Sequence, residues 1–190
     1  MPMPLPASLE RPRRRADELP ALELLPDMLG LASLMSRELS QARRVGTRPA
    51  LLLMQVEARA ESGQALSEVQ QQLLLQALGS RLRGRVRSHD VVARIGMLRF
   101  AVVLQNMERA PVAQIQARLQ RALSGPYELQ DQLLFASLRV GAAAATGPRA
   151  SGLELSQAAE SAMERAAPDS SWGELMNWQA EPRGCRAEPS

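Results

Sequence analysis

Apolar residues recur every three or four positions between Leu22 and Arg44, at Leu24, Met28, Leu31, Met35 and Leu39. That spacing predicts a helix, ended by Gly46 and Pro49. The run ALLLMQV (50–56) is short, apolar and bounded by turn residues, so it predicts a buried strand. Helical spacing returns over 66–86. VVARI (91–95) and RFAVVL (99–104) predict two strands around a tight turn at Gly96, a β-hairpin. A helix follows over 110–123. YELQ and LLFAS flank a turn near Gln130 to Gln132, a second hairpin, and LRVGAAAA (138–145) predicts a central strand. The last helix, 153–167, is stopped by Pro168. The order α-β-α-β-β-α-β-β-β-α predicts an α+β sandwich, helices packed on a mostly antiparallel central sheet.

This pattern divides the 190 residues into one domain, 21–167, between a Pro/Arg-rich tail, 1–20, expected to be disordered, and a C-terminal tail, 168–190. Arg13, Arg14 and Arg15 read as a solvated run, with contact to anionic lipid or an acidic partner as the alternative. Trp172, Leu175, Met176 and Trp178 form a short apolar cluster expected to dock on the domain itself, or else on a partner.

Composition narrows the function classes. Aromatics are only 3%, so Leu, Val, Ala and Met must build the core. The basic residues are all Arg and scattered, with a net charge of +3, so no focused face for nucleic acid is expected. The single cysteine, Cys185, excludes an internal disulfide and a Cys-rich metal site. No apolar run approaches the ~20 residues of a membrane span, and the N-terminus lacks the apolar segment of a secretory signal. A cytoplasmic protein is the expectation. His89 is the only histidine, without metal-ligand neighbours, and no Ser/His/Asp set can be built on it.

The frame VVARIGMLRFAVVL resembles the hairpin of GGDEF domains, the diguanylate cyclases that join two GTP into cyclic di-GMP and read R-x-G-G-(D/E)-E-F there. LGLAS (29–33), GPYELQDQLLFASLRVGAA and AESAMERA resemble other blocks of that family, in the same order and spacing. The resemblance implies a nucleotidyl-cyclase-like palm and a dimer. It also implies roles for particular positions. The metal-binding carboxylates of the family would fall at Gln55 and Leu98, and the neighbouring Glu at Arg99. Glu57 matches a second acid of the first strand. Met97 stands for the second glycine, where a small residue lets phosphates approach the backbone. The guanine-holding Asn and Asp would be Gly63 and Gln72, and the phosphate-gripping Lys and Arg would be Ala167 and Ser171. An amide, a leucine and an arginine are poor partners for a hard cation, so the resemblance implies a degenerate, non-catalytic domain with no cofactor.

One constellation of the family is intact. Its product-inhibition site reads R-x-x-D five residues before the hairpin signature, completed by an Arg on the next helix. Arg87, Asp90 and Arg118 match. Arg can give a bidentate pair to guanine O6 and N7, and Asp can accept from the N1–H and N2–H edge. The expected function is a cyclic di-GMP receptor reporting to a partner protein. The alternative is a nucleotide-free interaction or dimerisation module, in which Arg87 and Asp90 persist as a surface pair.

Overall fold

A computed structural model describes residues 22–107, 111–145, 147 and 149–166. Both tails of the sequence reading lie outside these residues, with Arg13 to Arg15, Trp172, Trp178 and Cys185. So do Ala167 and Ser171.

The elements are β1 (Leu22–Leu25), α1 (Met28–Val45), β2 (Ala50–Ala60), α2 (Glu68–Arg83), β3 (Val91–Ile95), β4 (Arg99–Leu104), α3 (Val112–Leu123), β5 (Gly125–Leu129), β6 (Gln132–Ala144) and α4 (Gly152–Arg165). They form one six-stranded sheet in the order β1-β3-β4-β2-β6-β5. Only the β1–β3 pairing is parallel among the described residues; the others are antiparallel. The α+β expectation, a mostly antiparallel sheet flanked by helices, holds.

Two sequence-derived elements are corrected. Leu22–Leu25 is a strand, not the first turn of a helix. Pro26 disfavours helical backbone at Leu25, and Asp27 caps α1 instead, its carboxylate accepting from Gly30 N–H at 2.9 Å. The second correction merges two predicted strands. β6 runs unbroken through Ser137, which is buried opposite Glu57 on β2. The hairpin before it closes on Gln130 and Asp131 at φ 49° and 62°, the positive pair that a two-residue type I′ turn needs.

β2 and β6 form the spine, and helices cover both faces. Leu52, Met54 and Val56 point to α2 and α3, meeting Leu74, Leu78, Leu82 and Leu119. Leu51 and Leu53 point the other way, to α1 and α4. α4 lies so close to the sheet that a Cβ on Gly141 would sit 2.2 Å from Ala159 O and Met163 N. Past Leu53, the residues on that second face become polar: Gln55, Glu57 and Arg59.

Candidate functional site

Two polar regions flank the hairpin β3–β4. The first is a cleft of about 200 Å³ between the α2–β3 loop, the end of β4 and α3. Arg87, Asp90 and Arg118 all line it, with Ile115 and Leu104 as apolar walls and Asn106 at its edge. The fold therefore brings the three predicted residues together, although α3 lies beyond the whole hairpin in sequence.

Local hydrogen bonding explains how each is placed. The loop turns back on itself through Asp90 N–H to Arg87 O at 3.0 Å. Asp90 is 6% exposed. Its Oδ2 accepts from Arg87 N–H at 3.0 Å and its Oδ1 from Gln105 N–H at 3.2 Å. The predicted alternative, an Arg87–Asp90 side-chain ion pair, is thereby corrected. The carboxylate takes the arginine's backbone, and the Arg87 guanidinium has no ion-pair partner among the described residues. His89 is exposed in the same loop, 4.0 Å from Asp90 Oδ1. On α3, Gln116 and Gln120 donate to Val140 O and Leu138 O at 2.8 and 2.9 Å. These bonds fix the rotation of the helix. Arg118, between them in sequence, is exposed and reaches Arg85 O at 3.4 Å.

The second region lies at the hairpin tip. Gln55 on β2 is directly opposite Arg99 on β4 and Arg139 on β6, so the three side chains share one face. Arg99 Nε donates to Gln55 Oε1 at 2.8 Å, and its Nη1 to Glu160 Oε1 on α4 at 2.8 Å. Arg139 Nε lies 2.9 Å from Glu57 Oε1. Leu98 is half-buried and packs on the core at the α2 side, while its carbonyl accepts from Val56 N–H at 2.8 Å. Met97 is 57% exposed at the turn, beside Gly96 at φ 55°. Gly63, at φ 77°, closes the turn after β2, and Gln72 is exposed on α2. No side-chain hydrogen bond joins either to the hairpin. Sequence reasoning missed Glu160, Arg139 and Gln105. Strand register reveals Arg139, the packing of α4 reveals Glu160, and hydrogen bonds to Asp90 and Glu38 reveal Gln105.

The family model "Diguanylate cyclase, GGDEF domain" matches residues 24–171. The chain belongs to the GGDEF domain family. Its sequence is 28% identical over 165 residues to the bifunctional diguanylate cyclase/cyclic di-GMP phosphodiesterase MucR of Pseudomonas aeruginosa. That match covers 85% of this chain and 24% of MucR, so the chain spans about a quarter of that relative. The crystal structure of the GGDEF domain of YfiN (TpbB), also from P. aeruginosa, superposes with a TM-score of 0.60 at 26% identity, covering 74% of this chain and 88% of that one. A sensory box/GGDEF family protein from Caulobacter crescentus, at 21% identity and TM-score 0.61, shares the fold over 75% of this chain and 92% of its own.

GGDEF cyclases imply a divalent metal at the hairpin tip, and the residues here do not fit one. Gln55 Oε1 is taken by a guanidinium, and its Nε2 points at Leu98 O and Val56 O, 3.4 Å from each. Leu98 contributes only its backbone. A hard dication needs several oxygen ligands converging, and a fixed positive charge occupies that place instead. Among the described residues no helix is long and apolar enough to cross a membrane.

Proposed function

We propose that this GGDEF domain is a non-catalytic receptor for cyclic di-GMP, which it holds at the cleft of Arg87, Asp90 and Arg118. The observation that carries the reading is the contrast between the two polar regions. At the hairpin tip Arg99 and Arg139 each lie against a carboxylate, Glu160 and Glu57. In the cleft the arginines keep their guanidinium forks free of carboxylates. A free fork suits phosphate and the guanine O6/N7 edge. The relative MucR is named for making and cleaving cyclic di-GMP, which makes that dinucleotide the first ligand to test. The receptor needs no cofactor and passes its signal to a partner protein or a second copy.

One observation favours a second reading, a nucleotide-free interaction module. Both Asp90 oxygens already accept backbone N–H groups, so the loop alone gives this residue a purpose. Each carboxylate oxygen has a second lone pair, so the two roles are compatible.

Calorimetry of the full chain with cyclic di-GMP separates the readings. The receptor gives saturable heat that GMP does not reproduce, and Arg87→Ala weakens it. Absence of heat, with no change in melting temperature at excess ligand, leaves the interaction module.

A further inference from the structure

The hairpin tip carries a row that crosses three strands and a helix: Glu160 on α4, Arg99 on β4, Gln55 on β2, Arg139 on β6 and Glu57 on β2. Register sets the middle of the row, since Arg99 and Arg139 are the two direct neighbours of Gln55. Each arginine then has its own carboxylate: Arg99 is hydrogen-bonded to Glu160 at 2.8 Å, while Arg139 Nε and Glu57 are an ion pair at 2.9 Å that is not aligned as a hydrogen bond. The formal charges cancel within the row. The Gln55 amide is locked as well, its oxygen toward Arg99 and its nitrogen toward two carbonyls.

We propose that this row is a permanent electrostatic clasp, in which the Arg99 guanidinium serves as the domain's own cation and ties the hairpin tip to α4 with neither metal nor nucleotide bound. The proposal stands apart from the cyclic di-GMP reading, because it uses none of the cleft residues.

The chemistry is specific to arginine. Arg99 uses two different nitrogens, Nε toward β2 and Nη1 toward α4. A planar fork can bridge two acceptors held at an angle; an ammonium reaches them only as a point charge. The side chains of Arg99 and Glu160 are about one-third exposed, so screening keeps either pair alone weak. The effect comes from the arrangement. With Arg99 charge-reversed, the introduced carboxylate faces Glu160 and the Gln55 oxygen. Two carboxylates and an amide oxygen are a hard-cation donor set, so the same change that breaks the clasp creates a demand for metal.

The test is thermal unfolding of the full chain with EDTA, Mg²⁺ or Mn²⁺, for wild type, Arg99→Glu, Arg99→Gln and the swap Arg99→Glu with Glu160→Arg. Wild type should melt at one temperature in all three conditions. Arg99→Glu should melt lower by roughly 3–6 °C in EDTA, on the scale of a 1–2 kcal/mol loss in a chain this size, and Mn²⁺ should restore most of that. Arg99→Gln should fall less and ignore metal. The swap should recover stability and lose the metal response. The clasp is wrong if Mn²⁺ stabilises wild type, or if Arg99→Glu melts like wild type in EDTA. If Arg99→Glu does not fold at all, the swap decides: recovery supports the clasp, and an unfolded swap overturns it.

Discussion

Gln105 joins Asp90 to the opposite side of the sheet. Its backbone N–H donates to Asp90 Oδ1 at 3.2 Å, and its side-chain amide donates to Glu38 Oε2 on α1. Glu38 is 8% exposed and also accepts from Arg37 Nε at 3.2 Å, and Arg37 in turn reaches Glu23 on β1 at 2.9 Å. A loop that lines the cleft is thus wired to the first helix through the buried carboxylate of Glu38, and from there through the exposed Arg37 to Glu23 at the surface of the first strand. Buried polar groups need such partners, because an unpaired one costs more than a pair contributes.

Asp90→Ala should therefore cost stability as well as any ligand binding. It strands two backbone N–H groups, each losing a charge-assisted bond. A loss of about 2–4 kcal/mol is expected from hydrogen bonds to a charged group, read as a lowered urea midpoint at unchanged slope. Arg87→Ala, which keeps its backbone N–H, should leave the midpoint nearly unchanged. An unchanged midpoint for Asp90→Ala would remove its structural role.

Cyclase activity should be absent. Full-length chain with GTP and Mg²⁺ or Mn²⁺ should form no cyclic di-GMP above blank. Gln55→Asp, Leu98→Asp and Arg99→Glu together should not create it, since Gly63, Gln72 and Met97 remain. The triple change should also lower the melting temperature, because the half-buried Leu98 packs on the core through its side chain and a carboxylate there trades apolar contact for a partly desolvated charge. Product that scales with protein concentration would overturn the degenerate reading.

The hairpin around Gly96 and the three-layer sandwich were legible because their signals are local. Apolar alternation, a turn glycine and capping residues each act within a few positions. β1 was misread because Leu22, Leu24 and Leu25 continue the helical spacing of Met28 and Leu31; Pro26 and Asp27 were the contrary signals. β6 was split because a buried serine interrupts an apolar run. The convergence of Arg87, Asp90 and Arg118 could be inferred only through the family resemblance. Glu160 was invisible, since nothing in AESAMERA distinguishes a helix carboxylate facing a strand arginine from one facing water. Gln105 reaches Asp90 through its backbone, which no residue identity encodes, and its side-chain bond to Glu38 spans 67 positions of sequence, beyond any local signal.

Gly141→Ala tests the packing of α4. Its Cβ would meet the backbone of Ala159 and Met163 at 2.2 Å, and backbone of a packed helix cannot give way locally. Overpacking of this kind costs about 1–3 kcal/mol or more. A clearly lowered urea midpoint is expected, and a wild-type midpoint would mean that α4 sits farther from β6. Because Glu160 is on α4, the same variant should loosen the Arg99 contact.

Alkali should destabilise the domain through Tyr127. Burial pushes its phenol up from 10.0 to about 12, against the opposing pull of Arg81, whose guanidinium carbon lies 4.0 Å from the ring centroid. The hydroxyl donates to Leu123 O at 2.7 Å and loses that bond on ionising. Above pH ~10 the unfolded chain releases the phenolic proton while the folded chain retains it, so stability falls as pH rises. Its contribution is fully present below pH ~10 and is lost through about pH 12. Tyr127 is the chain's only tyrosine, so phenolate absorbance reads it directly. Tyr127→Phe should remove this part of the alkaline loss, and a phenol titrating near 10 in the folded protein would contradict it.

Arg87→Lys is the sharpest probe of the cleft. It keeps the positive charge and the backbone N–H that Asp90 Oδ2 accepts at 3.0 Å, so the loop should remain intact. It removes the planar fork. If Arg87 makes a bidentate contact to guanine or phosphate, cyclic di-GMP binding should weaken, because the three donors of an ammonium diverge and do not form the planar parallel pair that two adjacent acceptors match. A bidentate contact is worth about 1–3 kcal/mol, or roughly 5- to 150-fold in Kd. Arg118→Ala should weaken binding too, while Arg99→Gln, outside the cleft, should not. If Arg87→Lys binds like wild type and raised salt abolishes binding in both, recognition rests on charge alone. The fork at Arg87 would then have no part in the receptor, and specificity for guanine would have to come from Asp90.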